Sequence, residues 1–241
     1  MHMGGARLFK HILNWSGCMV ARLYGALLLD MDVRFQAPLP PGARIFASNH
    51  PSTTDAFLMM GLTGKPMYVM INDFVFKMPA LGLFLRGAGH IPVVIGSGRP
   101  AFETAVQLLK DGKTVGIYPE GALSPLDGGH CPPHTGVARL ALASGAPVIP
   151  LGVSLDPKRI LFRRAHAAGM SDEARWYLGG RYTVTVGQPM HFACQGEERG
   201  YVRAATQAVM QQIMQLAQQS HARAGGVQAK APAFKWAMPR Y

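Results

Sequence analysis

Five short apolar runs, at residues 43–48, 66–71, 90–95, 114–118 and 148–154, constrain this chain more than any other feature. Each has the length of a buried strand, and the segments between them carry helical periodicity. Helices are predicted at 74–86, at 100–111, at 135–144 closed by Gly145, and at 201–218. Strands alternating with helices specify an α/β sheet covered by helices on its faces. The stretch Tyr182-Thr183-Val184-Thr185-Val186 alternates apolar and polar residues and reads as an edge strand. In such sheets, function gathers at strand ends and in the loops that follow them. Here the loops at 49–55, 86–99 and 118–136 carry the unusual chemistry.

Three segments follow from composition: an N-terminal helical segment at 1–36, a main domain at 37–220 and a basic, flexible tail at 221–241. The main domain begins after the helix-breaking cluster Pro38, Pro40, Pro41 and Gly42. In the first segment Arg7, Lys10, His11 and Arg22 interleave with Leu8, Phe9, Ile12, Leu13, Trp15, Met19, Val20 and Leu23. Residues 12–29 approach the length of a membrane span, but Arg22 and the breakers Gly17 and Gly25 interrupt it. A basic, aromatic-bearing apolar helix suits the membrane interface, and packing on the protein's own core is the alternative. The net charge of +11, from 24 Lys+Arg against 13 Asp+Glu, favours anionic partners. Nucleic acid is not expected, because the cations are dispersed and no helix-turn-helix, RRM or zinc-finger pattern occurs. Cys18, Cys131 and Cys194 are odd in number and far apart, as reduced thiols in a cytosolic setting would be. No secretory signal is recognisable.

The stretch Asn49-His50-Pro51-Ser52-Thr53-Thr54-Asp55 joins the first apolar run to a helix. Pro51 suits the first helical position, which sets Asp55 about one and a half turns into that helix. A carboxylate on one nitrogen of His50 fixes its tautomer and leaves the other nitrogen as a base. The plainer reading makes His50 a helix cap and Asp55 a solvated acid. In Tyr118-Pro119-Glu120-Gly121-Ala122-Leu123-Ser124, Glu120 either bonds substrate hydroxyls or holds the loop. Gly96-Ser97-Gly98-Arg99 is a candidate phosphate site but not a P-loop, since no Gly-Lys-Ser/Thr follows. His130, Cys131 and His134 invite a zinc reading. Two intervening prolines and the lack of a fourth ligand argue against it, so no metal is expected. The absence of a Gly-x-Ser-x-Gly elbow argues against a serine hydrolase.

Four blocks, NHPSTTD (49–55), GHIPVV (89–94), YPEGALS (118–124) and APVIPLG (146–152), together resemble the glycerolipid acyltransferase family, PlsC-like, over residues 40–190. The resemblance implies a mixed, largely parallel sheet flanked by helices, with N-terminal helices at the membrane interface. It implies transfer of an acyl group from acyl-CoA or acyl carrier protein, as co-substrate, to a lysophospholipid hydroxyl, 1-acylglycerol-3-phosphate foremost. No cofactor is implied. By the same resemblance His50 is the general base, Asp55 orients it, and Glu120 and Gly121 fall on the acceptor-binding block. The partners implied are membrane lipids and the acyl carrier, at the cytoplasmic face of the inner membrane, peripheral or monotopic. Two departures stand out. The family's Thr-Arg in the third block is Ala122-Leu123 here, and no acid–Arg pair follows Val93. Phosphate recognition therefore falls to Lys77, Arg86, His90, Arg99 or His134, or else the acceptor lacks a simple phosphate. A non-catalytic, membrane-peripheral lipid-binding protein is the alternative.

Overall fold

The computed structural model describes residues 3–167, 169–193 and 199–225. Helix α1 (Met3–Leu28) leads directly into strand β1 (Leu29–Phe35). There follow β2 (Arg44–Ser48), α2 (Asp55–Gly61), β3 (Met67–Asn72), α3 (Asp73–Phe76), α4 (Pro79–Ala88) and β4 (Ile91–Val93). Next come α5 (Arg99–Lys110), β5 (Thr114–Ile117), α6 (Gly136–Ser144), β6 (Val148–Leu155), β7 (Ile160–Ala167), β8 (Met170–Tyr177), β9 (Gly180–Val186) and α7 (Arg199–Gly225). Seven strands form one sheet in the order β1-β9-β6-β2-β5-β3-β4, while β7 and β8 pair as a separate hairpin. The sheet is mixed and largely parallel: only the β6–β9 pair is antiparallel, as the short connections through the hairpin permit.

Each face of the sheet carries its own core. Phe46, Met67, Val69, Ile149 and Leu151 pack beneath Leu58, Met59 and Cys18 of α1 and α2. Ile45, Ala47, Val115 and Val148 pack beneath α5, α6 and α7 through Ala105, Leu140 and Ile213. Every residue of β2 and β6 is buried, as both-face coverage requires. The parallel strands β2, β5, β3 and β4 send their following loops to one end of the sheet, and the hairpin after β6 rises from that same end.

Several sequence expectations change. Pro51 does not start a helix; residues 49–54 form a turn, and α2 begins at Asp55 itself. The 74–86 segment splits into α3 and α4 at Lys77-Met78, because Pro79 opens a new helix and has no N–H to continue the old one. Strand β9 is interior, paired to β1 on one side and β6 on the other. Its Thr face is covered by α7, where Thr185 shares a hydrogen bond of 2.7 Å with Ser220. Gly17 and Gly25 do not break α1. An added Cβ would meet Phe84 at 2.5 Å or Met31 at 2.3 Å, so these glycines let the helix lie close to its neighbours. Residues 29–35 leave the helical segment to form β1, and residues 221–225 continue α7 as ordered helix. The rest of the expected tail, the side chain of Arg7 and Cys194 lie outside the described residues.

Candidate active site

The turn between β2 and α2 is held to the sheet by Asn49. Its Nδ2 donates to the Val153 carbonyl at 2.9 Å and its Oδ1 accepts the Val153 N–H at 2.8 Å, so the side chain extends the ladder one step past β2. Asp55, 1% exposed, sits at the far end of that turn. Its Oδ1 accepts from the Ser52 hydroxyl at 2.6 Å and the Tyr182 hydroxyl at 2.7 Å. Its Oδ2 accepts from the Ser52 N–H at 2.7 Å and meets His50 Nδ1 at 3.2 Å. A buried carboxylate with this many donors is held in one orientation. An ionised carboxylate only accepts, so Nδ1 of His50 carries the hydrogen and Nε2 keeps its lone pair.

The His50 ring is 17% exposed and stacks on Tyr118, with centroids 3.9 Å apart and planes at 17°. Burial first, and the Asp55 charge second, raises the phenols of Tyr118 and Tyr182 well above their ordinary range, so Tyr182 remains a donor. Behind the carboxylate, Ser48, Tyr118 and Tyr182 line a cavity of about 10 Å³, room for a water and not for an acyl chain.

The 118–136 loop closes on the turn through Ser124. The His50 N–H donates to Ser124 Oγ at 2.7 Å, and the Ser124 N–H donates back to the His50 carbonyl at 2.8 Å. Glu120, 2% exposed, is engaged within its own loop: one oxygen accepts from the Ser124 hydroxyl, the other from the Cys131 N–H at 2.8 Å. Of the two readings of Glu120, holding the loop is the one its present contacts serve. Gly121 has φ +65°, and an added Cβ would lie 2.8 Å from the His134 ring, so backbone and space both demand glycine.

The structure thus brings His50, Asp55, Glu120 and Gly121 together, with the His134 ring against Gly121 and the His134 backbone N–H donating to the Pro119 carbonyl at 2.8 Å, while Arg99, Lys77, Arg86 and His90 stand apart from them. Arg99 opens α5 and pairs with Glu103 at 2.8 Å, its side chain 88% exposed. Lys77 pairs with Asp73 at 2.7 Å, and Arg86 Nη1 donates to the Phe76 carbonyl at 2.5 Å. Among the described residues, no hydrogen bond or ion pair joins these three to either loop. His90 offers no cation: burial lowers its pKa to about 4, and Nδ1 accepts the Val69 N–H at 3.2 Å. Among the described residues no cluster has the makings of a metal site.

Sequence reasoning did not single out Ser52, Tyr118 and Ser124, although all three lie inside the quoted blocks. Tyr182 and Arg175 lie outside them. The one signal for Tyr182 was its place on the apolar register of an alternating strand, and nothing marked Arg175.

The mixed α/β sheet that carries this site is an architecture the chain has in common with a known protein. The family model described as Acyltransferase matches residues 30–154, and the chain belongs to that family, in its PlsC-like, glycerolipid acyltransferase group. It is accordingly an enzyme, an acyltransferase. It is similar to the 1-acyl-sn-glycerol-3-phosphate acyltransferase of Bacillus subtilis (strain 168), at 25% identity over 178 residues, 71% of this chain and 80% of that protein. It is also similar to the 1-acyl-sn-glycerol-3-phosphate acyltransferase of Escherichia coli (strain K12), at 25% identity over 164 residues, 65% of each chain. In fold it matches the crystal structure of the 1-acyl-sn-glycerophosphate (LPA) acyltransferase PlsC from Thermotoga maritima. That match has a TM-score of 0.59 at 17% identity and covers 95% of this chain and 85% of that one.

Proposed function

We propose that the enzyme moves a fatty acyl group from a thioester, acyl-CoA or acyl carrier protein, to the free hydroxyl of 1-acylglycerol-3-phosphate in phospholipid biosynthesis. The single observation carrying the mechanism is the His50–Asp55 contact, made by a carboxylate whose other positions are filled by Ser52 and Tyr182. His50 Nε2 takes the hydroxyl proton as the oxygen attacks the thioester carbon. Asp55 faces the imidazolium that forms, and the π face of Tyr118 beside it favours the same cation. The tetrahedral oxyanion needs donors. The amides of Ser52, Thr53, Asp55, Gly121 and Ser124 are already committed, and among the described residues those of Thr54, Glu120, Ala122 and Leu123 have no such partner. Collapse breaks the C–S bond, and the proton on His50 leaves with the thiol. No acyl-enzyme is required, and we infer no cofactor or metal.

The names of the two bacterial relatives support the acceptor. For the place of work, we infer peripheral attachment to the cytoplasmic face of the membrane, supported by the exposed apolar side of α1 and the net charge of +11; among the described residues no helix is long and apolar enough to cross one. The test is thiol release from acyl-CoA with 1-acylglycerol-3-phosphate, comparing wild type with His50→Ala. Loss of the base is expected to lower the rate by about 10²–10⁴-fold. Equal rates would overturn the mechanism, and a wild type inert on every acceptor would favour the non-catalytic reading.

A further inference from the structure

If the acceptor carries a phosphate, something must hold it, and positions 122–123 offer no cation. The hairpin β7–β8 supplies one from an unexpected direction. Near the hairpin's base, the edge of its second strand that faces away from β7 pairs with the catalytic turn. The Thr53 N–H donates to the Arg175 carbonyl at 2.8 Å, and the Arg175 N–H donates to Thr53 Oγ1 at 2.9 Å. The Tyr177 N–H donates to Thr54 Oγ1 at 2.9 Å. These bonds fix the backbone of residue 175 against the segment between His50 and Asp55, and they would be made whatever side chain stood there.

The side chain then reaches the second loop. Arg175 Nη1 donates to the Ser124 carbonyl at 2.7 Å, and Ser124 is the residue doubly bonded to the His50 backbone. Nε pairs with Glu173 at 2.7 Å, while Nη2 has no protein partner among the described residues. The guanidinium side chain is 16% exposed, and Glu173 is 54% exposed. A half-solvated carboxylate is a weak competitor for a planar fork whose remaining donors suit two oxygens of one anion. Arg99, Lys77 and Arg86 lack this placement, since each is paired within its own neighbourhood.

We propose that Arg175, carried in by the β7–β8 hairpin, binds the phosphate of the acceptor beside His50, in place of a cation from residues 122–123. This rests on the reading of the acceptor given above. Arg175→Gln is expected to raise KM for 1-acylglycerol-3-phosphate about tenfold or more, with kcat lowered less. Turnover of the phosphate-free analogue, monoacylglycerol, is expected to fall markedly less than that of 1-acylglycerol-3-phosphate. Arg175→Lys keeps the charge without the fork and falls between the two. As a second readout, sn-glycerol 3-phosphate should inhibit wild type competitively and the Gln variant about tenfold more weakly. An unchanged KM and inhibition constant overturns the proposal while leaving the acyltransferase reading intact. An equal loss on both acceptors also overturns it, because a mere clamp between the loops would cause that. A wild type that acylates only neutral acceptors sinks this proposal and the acceptor half of the proposed function together.

Discussion

Asp55 is acceptor to four hydrogen-bonding groups, and only one of them, His50, is of a kind to do chemistry. The others decide whether the carboxylate holds its angle to the imidazole. Ser52 belongs to the same turn and comes with it. Tyr182 comes from β9, which is remote in the chain, so the dyad is completed only when the sheet has closed around it. Tyr182→Phe keeps ring and volume and removes one donor, leaving a buried carboxylate oxygen short of a partner. That loss is of order 1–3 kcal/mol, borne by the reacting geometry. The expected outcome is kcat lowered about tenfold with KM within about twofold, since the hydroxyl touches Asp55 and not the substrate. A KM that rises in proportion, or a kcat that does not move, would mean that Ser52 alone positions the acid.

At the scale of elements, the short buried strands and the helices between them were legible because their periodicity is set by burial on both faces. The His–Asp pair was legible as well, from residue types and spacing, although the turn that joins them is not the helix expected. What stayed hidden was decided by pairing across the chain. Strand β9 read as an edge strand because Thr alternates with its apolar residues, yet it is paired on both sides and Thr185 is bonded to Ser220 and Arg223 of α7. Leu29–Phe35 looked like the end of a helical segment because Asp30, Asp32 and Arg34 dilute its apolar residues. Its charges are spent instead on a tie to the C-terminal helix: Arg223 Nε meets Asp32 Oδ2 at 2.9 Å, Nη1 meets Thr185 at 2.7 Å, and Nη2 meets the Val184 carbonyl at 3.0 Å. Burial works against the Asp32 charge, but Arg223 foremost, with Arg34 and Arg181, holds its pKa below the ordinary value. A lowered carboxylate pKa gives stability above the unfolded value near 4, lost as pH falls through the folded one. Arg223→Met is therefore expected to cost about 2 kcal/mol at pH 7, a fall in Tm of about 4–8 °C. The gap to wild type should narrow at pH 3 without closing, because the bonds to Thr185 and Val184 do not titrate. Thermal melts at the two pH values check both statements, and an equal gap at both would mean the ion pair contributes nothing.

Across the whole molecule, apolar surface is unevenly spent. The buried side of α1 is made of small or polar residues, Asn14, Gly17, Cys18, Ala21 and Gly25, recurring every three or four positions. Its large residues point the other way: Leu8, Phe9, Ile12, Trp15, Met19, Val20, Leu23, Leu27 and Leu28 are each between 41% and 72% exposed. Leu83 of the adjoining α4 is 71% exposed. A contiguous face of this kind needs a covering surface. This side of the sheet also carries α2, whose first residue is Asp55, and Tyr24 Oη donates to the Tyr177 carbonyl at the base of the hairpin at 2.9 Å. A lipid surface against α1 would therefore lie on the layer that holds the dyad, where an acceptor with one acyl chain still in the bilayer can present its headgroup. Replacing Trp15, Leu23 and Leu27 by Ser removes three outward-facing apolar side chains, none of them among the buried residues of the core. At about 1 kcal/mol for each half-inserted side chain, partitioning onto anionic vesicles should fall about 100-fold. Tm should stay within about 2 °C. With a net charge of +11, the remaining wild-type binding should weaken further as salt rises. Vesicle flotation measures all of this. Undiminished flotation of the triple variant would mean that the outward face of α1 is covered by something other than lipid, and that the substrate reaches His50 by another route.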